Sequence, residues 1–349
     1  MKFGFYSPYL DIFGGGERYM LTLASGLAQN HLVDIFWDEP SVKSQLSRFL
    51  KIDLTKTRFV QNIFKKNFVQ KSFSTLGYNL IFIISDGSVP LTLAAKSILH
   101  FQVPFKFPLP DLKTRFKLKR YTHIICNSNF TKEVIDKSFD VSSKVIYPPV
   151  DVKSIKSALK ENLILSVGRF SARQLHPKKQ EVLIEVFKEV YKRAPSYKLV
   201  LVGQAKKGDE KYIRSLKKIS RGYAIKILDN LSVEKLHELY SKASIYWHAT
   251  GFGEDENKNP ERMEHFGIAT VEAQAAGAVP IVINKGGQKE IVKDGKNGRL
   301  WNTKIQLLEA TLEVIRDRDQ MSRLSQAAIK NSLRFSQEKF IKEYEKIIF

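Results

Sequence analysis

Two glutamates stand eight residues apart in the second half of this 349-residue chain, Glu264 and Glu272, on either side of a predicted helix start. A helix is predicted over residues 268–276, because small apolar residues follow Gly267 and a further glycine ends the run. A carboxylate accepts hydrogen bonds from the neighbouring hydroxyls of a sugar, and a helix N-terminus presents unpaired N–H groups to a phosphate. The segment predicts a nucleotide-sugar pocket, although either glutamate alone could be a solvated helix-face charge.

The sequence from Glu264 onward has the pattern E-H-F-G-I-x-x-x-E, followed by A-x-x-A-G-x-x-P and G-G-x-x-E-I-V-x-D-G-x-N-G. This pattern resembles the E-x7-E signature of the family-4 retaining glycosyltransferases. The resemblance implies that Glu264 holds hydroxyls of the donor sugar and that Glu272 holds the ribose. Further donor-binding residues that it implies are Gly15, Gly16, Phe266, Gly267, Ile268, Gly286 and Gly287.

The resemblance extends over most of the chain, through residues 14–17, 127–131, 147–151 and 166–170. The arginine with which the family binds phosphate corresponds to Arg169. The family's lysine corresponds to Lys178 when the count runs back from the predicted helix that ends at Phe187. It corresponds to Lys179 if the preceding loop is one residue shorter, so both lysines remain candidates.

Three histidines are candidates for the same site. His100 lies near the end of a predicted strand, at the position where the family faces the donor sugar, so the resemblance gives it a catalytic role. His248 ends another predicted strand and could line the sugar pocket, whereas His265 either orients Glu264 or is exposed. No histidine pair has metal-ligand spacing and Cys126 is the single cysteine, so we expect no metal, no cofactor and no disulfide.

Short apolar runs that alternate with helical stretches predict the elements that must position these residues. Strands are predicted over 3–6, 32–36, 80–84, 98–101, 124–127, 145–147, 163–167, 198–202, 224–228, 245–248 and 279–283. Pro148 and Pro149 predict a hinge between two repetitions of this pattern. The fold class is therefore α/β, with two doubly wound domains, and the resemblance implies that they are Rossmann-like and face each other across a cleft, as in the GT-B fold.

The expected domains are residues 1–150 on the acceptor side and residues 151–334 on the nucleotide-sugar side. A last helix within 335–349 would in that family cross back to the first domain. Hydrophobic residues make up 43% of the chain and charged residues 27%, which is typical of a globular protein. No apolar stretch reaches the roughly 18 residues that a membrane span needs, and the start predicts a strand, so we expect a cytoplasmic protein.

The net charge of +21 is concentrated in residues 41–121, which contain 15 Lys and Arg but only 3 Asp and Glu. Basic and aromatic residues alternate within 64–68 and 113–121, a combination that favours an anionic membrane surface. A lysine-rich surface that serves only solubility is an alternative. Base stacking could use the same residues, but no nucleic-acid motif accompanies them, so we expect no nucleic acid partner.

The resemblance, together with these residues, implies a retaining, metal-independent transferase that moves a hexose from a nucleoside diphosphate sugar to a glycan or lipid-linked glycan. Arg169 and Lys178 would then meet the charge that develops on the leaving diphosphate, in place of a metal. One alternative is a sugar-nucleotide epimerase or a phosphorylase of the same fold. A second is a nonenzymatic basic adaptor for membranes or RNA, which would need neither glutamate.

Overall fold

The computed structural model describes residues 1–12, 14–171 and 175–349. These residues form two compact units. Unit 1 contains Met1–Pro149 and Gln337–Phe349, and unit 2 contains Val150–Ser336. Within the described ranges, no helix is both long enough and apolar enough to cross a membrane.

Unit 1 is built on a parallel sheet with the strand order β3-β2-β1-β4-β5-β6-β7. Its strands are β1 (Lys2–Tyr6), β2 (Leu32–Phe36), β3 (Thr57–Val60), β4 (Leu80–Ser85), β5 (Lys96–Phe101), β6 (His123–Cys126) and β7 (Lys144–Val145). The helices along the chain are α1 (Gly15–Leu27), α2 (Val42–Leu50), α3 (Phe68–Ser74), α4 (Leu112–Leu118) and α5 (Asn129–Phe139).

Unit 2 repeats the architecture with the strand order β10-β9-β8-β11-β12-β13. Its strands are β8 (Glu161–Val167), β9 (Lys198–Gly203), β10 (Ile225–Asp229), β11 (Ala243–His248), β12 (Val279–Ile283) and β13 (Arg299–Trp301). Its helices are α6 (Gln180–Arg193), α7 (Glu210–Ile219), α8 (Val233–Lys242), α9 (Ile268–Ala275), α10 (Gln288–Ile291), α11 (Lys304–Arg316) and α12 (Arg318–Ser332). Single 3-10 turns occur at Ile63–Lys65, Pro260–Arg262 and Leu333–Phe335.

The last helix, α13 (Gln337–Ile348), belongs to unit 1, where it contacts α1. Its buried Tyr344 hydroxyl lies 2.8 Å from the Tyr19 hydroxyl, which itself donates to the Ile146 carbonyl at 2.9 Å. Tyr19 therefore accepts from Tyr344, and the pair satisfies both hydroxyls inside the core. This bond fixes the end of the chain on the first sheet.

Both sheets confirm the predicted fold class of doubly wound, Rossmann-like α/β domains. In such a sheet the strand order reverses at one point, and ligands bind beyond the carboxyl ends of the strands there. The reversal lies between β1 and β4 in unit 1 and between β8 and β11 in unit 2. The sequence analysis missed β3 and β13, which are short strands at or near a sheet edge.

Candidate functional site

The carboxyl ends of β8 and β11 define the candidate site in unit 2. Strand β8 leads into Gly168 and Arg169, and β11 ends at His248. Gly168 leaves room for the Lys178 side chain, because a Cβ there would lie 2.7 Å from the Cγ atom of Lys178. Gly203 allows the same turn to pack closely, because a Cβ added at Gly203 would lie 2.0 Å from the Gly168 carbonyl oxygen. The chain is thus packed so that the Lys178 side chain passes directly over the end of β8.

Glu264 lies at the centre of the site, between the 3-10 turn Pro260–Arg262 and α9. Its Oε2 atom accepts a hydrogen bond from Lys178 Nζ at 2.7 Å and another from His248 Nε2 at 2.9 Å. The lysine and glutamate side chains are 13% and 18% exposed, so this ion pair is largely shielded from water. Among the described residues, the other carboxylate oxygen of Glu264 accepts no hydrogen bond. One oxygen is therefore held by the protein, and the second can accept from a ligand.

The protonation states follow from burial and from these contacts. Burial by itself would raise the pKa of Glu264, but the Lys178 ammonium and the His248 hydrogen bond hold it well below the usual value. Burial lowers the pKa of His248, although its bond to Glu264 opposes the shift. At neutral pH Glu264 is thus a carboxylate, and His248 is a neutral imidazole that donates from Nε2.

Two further histidines lie next to this ion pair. The rings of His176 and His265 are 4.9 Å apart, and His265 Nε2 donates to the Glu261 carbonyl at 3.0 Å. Burial lowers the pKa of both rings, that of His176 to about 2 with a further contribution from Lys178. His265 is buried, so of its two predicted alternatives the exposed one is wrong, and the role in orienting Glu264 stays a prediction. His176 was missed, because it lies outside any periodic segment and no sequence motif marks it.

The two adjacent lysines before α6 have different partners. Lys178 contacts Glu264, whereas Lys179 Nζ lies 3.0 Å from Glu254 Oε1 and its backbone takes a left-handed conformation at φ 54°. Glu254 also pairs with Arg262 at 3.2 Å. Only Lys178 therefore reaches the carboxylate that the sequence places at the sugar, and the choice of Lys178 for the diphosphate stays a prediction.

Arg169 is exposed at the carboxyl end of β8. Its backbone is fixed from two directions: the Gln180 amide donates to the carbonyls of Gly168 and Arg169 at 3.2 and 3.1 Å, and Phe170 N–H donates to Gln204. Such anchoring leaves the guanidinium on a rigid turn near the sheet's switch point.

Glu272 lies within α9, one helical turn beyond its first residue, Ile268. Its Oε2 atom accepts from the Tyr240 hydroxyl of α8 at 3.0 Å. Gly267 precedes the helix at φ 123°, a conformation that glycine adopts without strain, and a Cβ there would lie 2.6 Å from the Gln288 side chain. These contacts fix the direction of the helix that carries Glu272.

The Gly286–Gly287 turn packs directly against the backbone of residues 264–266. A Cβ on Gly286 would lie 2.4 Å from the Glu264 carbonyl oxygen, and one on Gly287 would lie 2.5 Å from the Phe266 Cα atom. The Gly287 N–H donates to the Glu264 carbonyl at 2.8 Å, and the Gly286 N–H donates to Glu256 Oε2 at 3.0 Å. Both glycines thus set the position of the Glu264 backbone, while the predicted donor contacts of their amides stay a prediction.

Phe266 turns inward, where it is buried and lies edge-on to Phe335 at 5.3 Å. Its ring is therefore part of the support beneath the site, and only its backbone lies against the glycine turn. The predicted donor contact of Phe266 stays a prediction.

The remaining predicted residues belong to unit 1. His100 is the second-last residue of β5 and is completely buried, with its ring stacked on Tyr19 at 3.9 Å between centroids, and burial lowers its pKa to about 3. Gly15 and Gly16 open α1, and a Cβ on Gly16 would lie 2.6 Å from the Gln102 side chain, which the sequence analysis did not single out. The predicted donor contacts of these three residues stay predictions.

The sequence matches two family descriptions. Residues 149–331 match "Glycosyl transferases group 1", and residues 13–154 match "Glycosyltransferase Family 4". A Dictyostelium discoideum protein named GDP-Man:Man(3)GlcNAc(2)-PP-Dol alpha-1,2-mannosyltransferase is 28% identical over 63% of this chain and 45% of its own length. The human protein of the same name is 26% identical over 65% of this chain and 47% of its own length. The chain thus spans about half the length of these curated relatives.

Solved structures resemble the whole chain. A glycosyltransferase from Rickettsia africae superposes with a TM-score of 0.77 at 17% identity, covering 99% of this chain and 97% of its own. Anabaena HepE in complex with UDP and glucose superposes with a TM-score of 0.70 at 18% identity, covering 99% and 98%. At this identity the likeness shows the shared fold.

Proposed function

The chain belongs to the glycosyl transferases group 1 family, and from that premise we propose that it transfers a hexose, with retention, from a nucleoside diphosphate sugar to a glycan or lipid-linked glycan. The observation that carries the proposal is the Glu264 carboxylate, held through one oxygen by Lys178 and His248 at the switch point of the second sheet. A carboxylate fixed in this way is a preorganised acceptor for sugar hydroxyls.

The chemical step needs cations near the leaving group. As the bond between the anomeric carbon and the diphosphate oxygen breaks, negative charge develops on the diphosphate, and the ring gains oxocarbenium character. We assign the stabilisation of that charge to Lys178, which lies over the end of β8, and to Arg169 on the same turn. The acceptor oxygen then bonds to the anomeric carbon from the face that the diphosphate leaves, and its proton passes to the diphosphate, so the configuration is retained.

The ribose is assigned to Glu272. This carboxylate is held by the Tyr240 hydroxyl at 3.0 Å, on a helix that begins four residues after Glu264. The two glutamates therefore come from one short segment with a fixed spacing, as recognition of two parts of a single donor requires. His100, Gly15 and Gly16 remain candidates on unit 1, which we propose to be the acceptor side.

The relatives suggest a donor and an acceptor to test first. The curated mannosyltransferases are named for GDP-mannose and for a dolichol-linked oligosaccharide. We propose a lipid-linked acceptor for this chain too, reached from the cytoplasmic side of an anionic membrane, to which the basic residues of 41–121 would be attracted. No nucleic acid takes part in this proposal.

The test combines donor binding with transfer. Melting temperature is measured with GDP-mannose, UDP-glucose and ADP-glucose, because a ligand at a hundredfold excess over its Kd stabilises the folded state by about 2.7 kcal/mol. The donor that stabilises the chain is then used with a radiolabel in its hexose. The label is counted in extracted lipid and in free sugar. We expect label in the lipid, and the same amount of label in excess EDTA. The Glu264→Gln variant should transfer no label to lipid. The control variant Glu313→Gln, which changes a partly exposed, ion-paired glutamate of the same unit, should transfer as much as the wild type.

Other outcomes would replace the proposal. Release of a new free sugar or sugar nucleotide without an acceptor would indicate an epimerase or a phosphorylase. Vesicle binding with no turnover of any donor would indicate a nonenzymatic adaptor. Loss of transfer in EDTA, with recovery on adding magnesium or manganese, would refute the metal-independent mechanism.

A further inference from the structure

Two short helices of unit 1 expose an unusual number of apolar side chains. On α4 Leu112 is 84% exposed and Phe116 63%, and on α3 Phe73 is 61% exposed and Phe68 52%. Val69 on α3 is 58% exposed as well. Exposed apolar residues are ordinary when scattered, but a contiguous group marks an interaction surface.

On each helix, two of the exposed residues share one side. Leu112 and Phe116 are four residues apart on α4, and Val69 and Phe73 are four residues apart on α3, so each pair occupies a single helix face. Leu118 on the other side of α4 is buried and anchors that helix, and Ser72 is the buried residue of α3. Each helix thus presents an apolar stripe away from the core.

One contact connects the two helices. The Lys117 ammonium of α4 lies over the Phe68 ring of α3, 5.9 Å from its centroid. We call this combined surface, formed by the exposed residues of α3 and α4, the α3–α4 face. The sequence alone did not define it, because aromatic residues of the same basic tracts go to opposite places: Phe64 and Tyr121 are buried, while Phe68 and Phe116 are exposed.

Basic residues surround the α3–α4 face. Residues 62–76 and 105–121 together contain nine Lys and Arg and one acidic residue, Asp111. The side chain of Asp111 is engaged in capping α4, where it accepts from the Thr114 N–H at 2.7 Å. Lys113 and Lys119 are both exposed beside the α4 stripe. The surface therefore combines insertable apolar side chains with a strong positive field.

We propose that the α3–α4 face docks this chain on an anionic lipid surface, with Leu112, Phe116 and Phe73 inserted at the headgroup boundary and the surrounding lysines on the headgroups. Lipid is favoured over RNA because leucine and valine have no flat ring on which a base can stack. It is favoured over a second copy of the chain because two such faces would bring like charges together. The role of this docking rests on the proposed function: it would bring unit 1 to a lipid-linked acceptor.

The test uses vesicles without donor or acceptor, so it does not depend on catalysis. Flotation is measured with phosphatidylcholine vesicles that contain 0% or about 30% phosphatidylglycerol, at low and physiological salt. We expect binding to the anionic vesicles that weakens as salt rises. A double variant, Leu112→Ser with Phe116→Ser, should bind about 10- to 100-fold more weakly, because it loses the insertion of two large apolar side chains.

Matched variants separate the contributions. Leu159→Ser removes a leucine that is 92% exposed on unit 2 and should leave vesicle binding unchanged. Replacing Lys113 and Lys119 with Gln should weaken binding at low salt, whereas the same change at the exposed Lys217 and Lys218 of α7 should weaken it much less. Circular dichroism and donor binding in solution, measured for every variant, check that the fold and the donor site are intact.

Three results would overturn the inference. They are equal binding to neutral and anionic vesicles, full binding by the Leu112→Ser, Phe116→Ser variant, and equal losses in the α4 and α7 lysine variants. If the chain dimerises with rising concentration and the double variant does not, the face is assigned to a second copy of the chain. If the chain binds RNA but not vesicles, and the double variant loses the RNA binding, the face is assigned to RNA. A chain that floats as expected but transfers no sugar would leave the docking face standing and remove the proposed function.

Discussion

Replacing Lys178 with Met tests the assignment of the catalytic cation, and the adjacent Lys179→Met is its matched control. Both lysines precede the same helix, and each pairs with one glutamate, Glu264 at 2.7 Å and Glu254 at 3.0 Å. Their side chains are similarly shielded, at 13% and 21% exposure. The two substitutions therefore cause comparable structural damage but differ in the carboxylate that loses its partner.

The expected loss of stability is similar for both variants. Removing one partner of a fully buried pair costs about 3–5 kcal/mol, because the remaining charge is left without compensation. Each glutamate here keeps a second partner, His248 for Glu264 and Arg262 for Glu254, and some access to water. We therefore expect the free energy of unfolding to fall by about 1–2 kcal/mol in each case.

Turnover should distinguish the two lysines. A cation that meets charge developing on the leaving diphosphate stabilises the transition state more than the bound donor, so its loss appears mainly in kcat. By analogy with the loss of one preorganised donor, Lys178→Met should reduce kcat about 100- to 1000-fold. Lys179→Met should stay within about 10-fold of the wild type, since Lys179 pairs with Glu254 and not with the assigned sugar carboxylate.

The pH profile provides a second measurement on the same variants. Lys178 is a principal reason that the pKa of Glu264 stays low despite burial. Without the ammonium, burial raises that pKa, so the carboxylate is protonated at a higher pH. The acid limb of kcat/KM should move to higher pH in Lys178→Met and stay in place in Lys179→Met. Equal losses of kcat in the two variants, or a larger loss in Lys179→Met, would refute the assignment of Lys178.

Three further predictions concern other side chains. Glu272→Ala should weaken nucleotide binding by about 1–3 kcal/mol in calorimetry, since it leaves ribose hydroxyls and the Tyr240 hydroxyl unpaired, and unchanged affinity would exclude the ribose role. His248→Phe should lower kcat about 10-fold by removing one of the two bonds that orient Glu264, and His248→Gln should restore part of it; an equal loss in both variants would indicate a packing role instead. Burial lowers the pKa of His100 from 6.5 to about 3, so the unfolded chain binds a proton at a higher pH than the folded chain. The free energy of unfolding is therefore undiminished above pH 6.5 and falls as the pH falls toward 3. Between pH 6.5 and 5 this linkage removes about 2 kcal/mol, so His100→Gln should flatten the acid dependence of urea unfolding, and an unchanged dependence would contradict the buried neutral ring.

Much of the fold could be predicted from local sequence. Fully buried parallel strands are continuous apolar runs, and β4, β9 and β12 were therefore found close to their observed bounds. Strand β13 has only three residues and β3 only four, two of them Thr57 and Arg58, so neither produces such a run. A strand at the edge of a sheet has a neighbouring strand on one side only and is less buried. Its sequence therefore needs fewer apolar residues.

The sequence by itself determined the chemistry of the candidate residues, because the two glutamates, the glycine turn and α9 lie within one continuous segment. It also determined the α/β class, which depends on short-range periodicity. Only the tertiary structure decided which cation meets Glu264, since Lys178 lies 86 residues away and the neighbouring Lys179 fits the sequence equally well. It alone brought His176 and His248 to the same ion pair, and it separated exposed from buried aromatic residues in the basic tracts. Such contacts depend on the packing of distant elements, which local periodicity and spacing do not record.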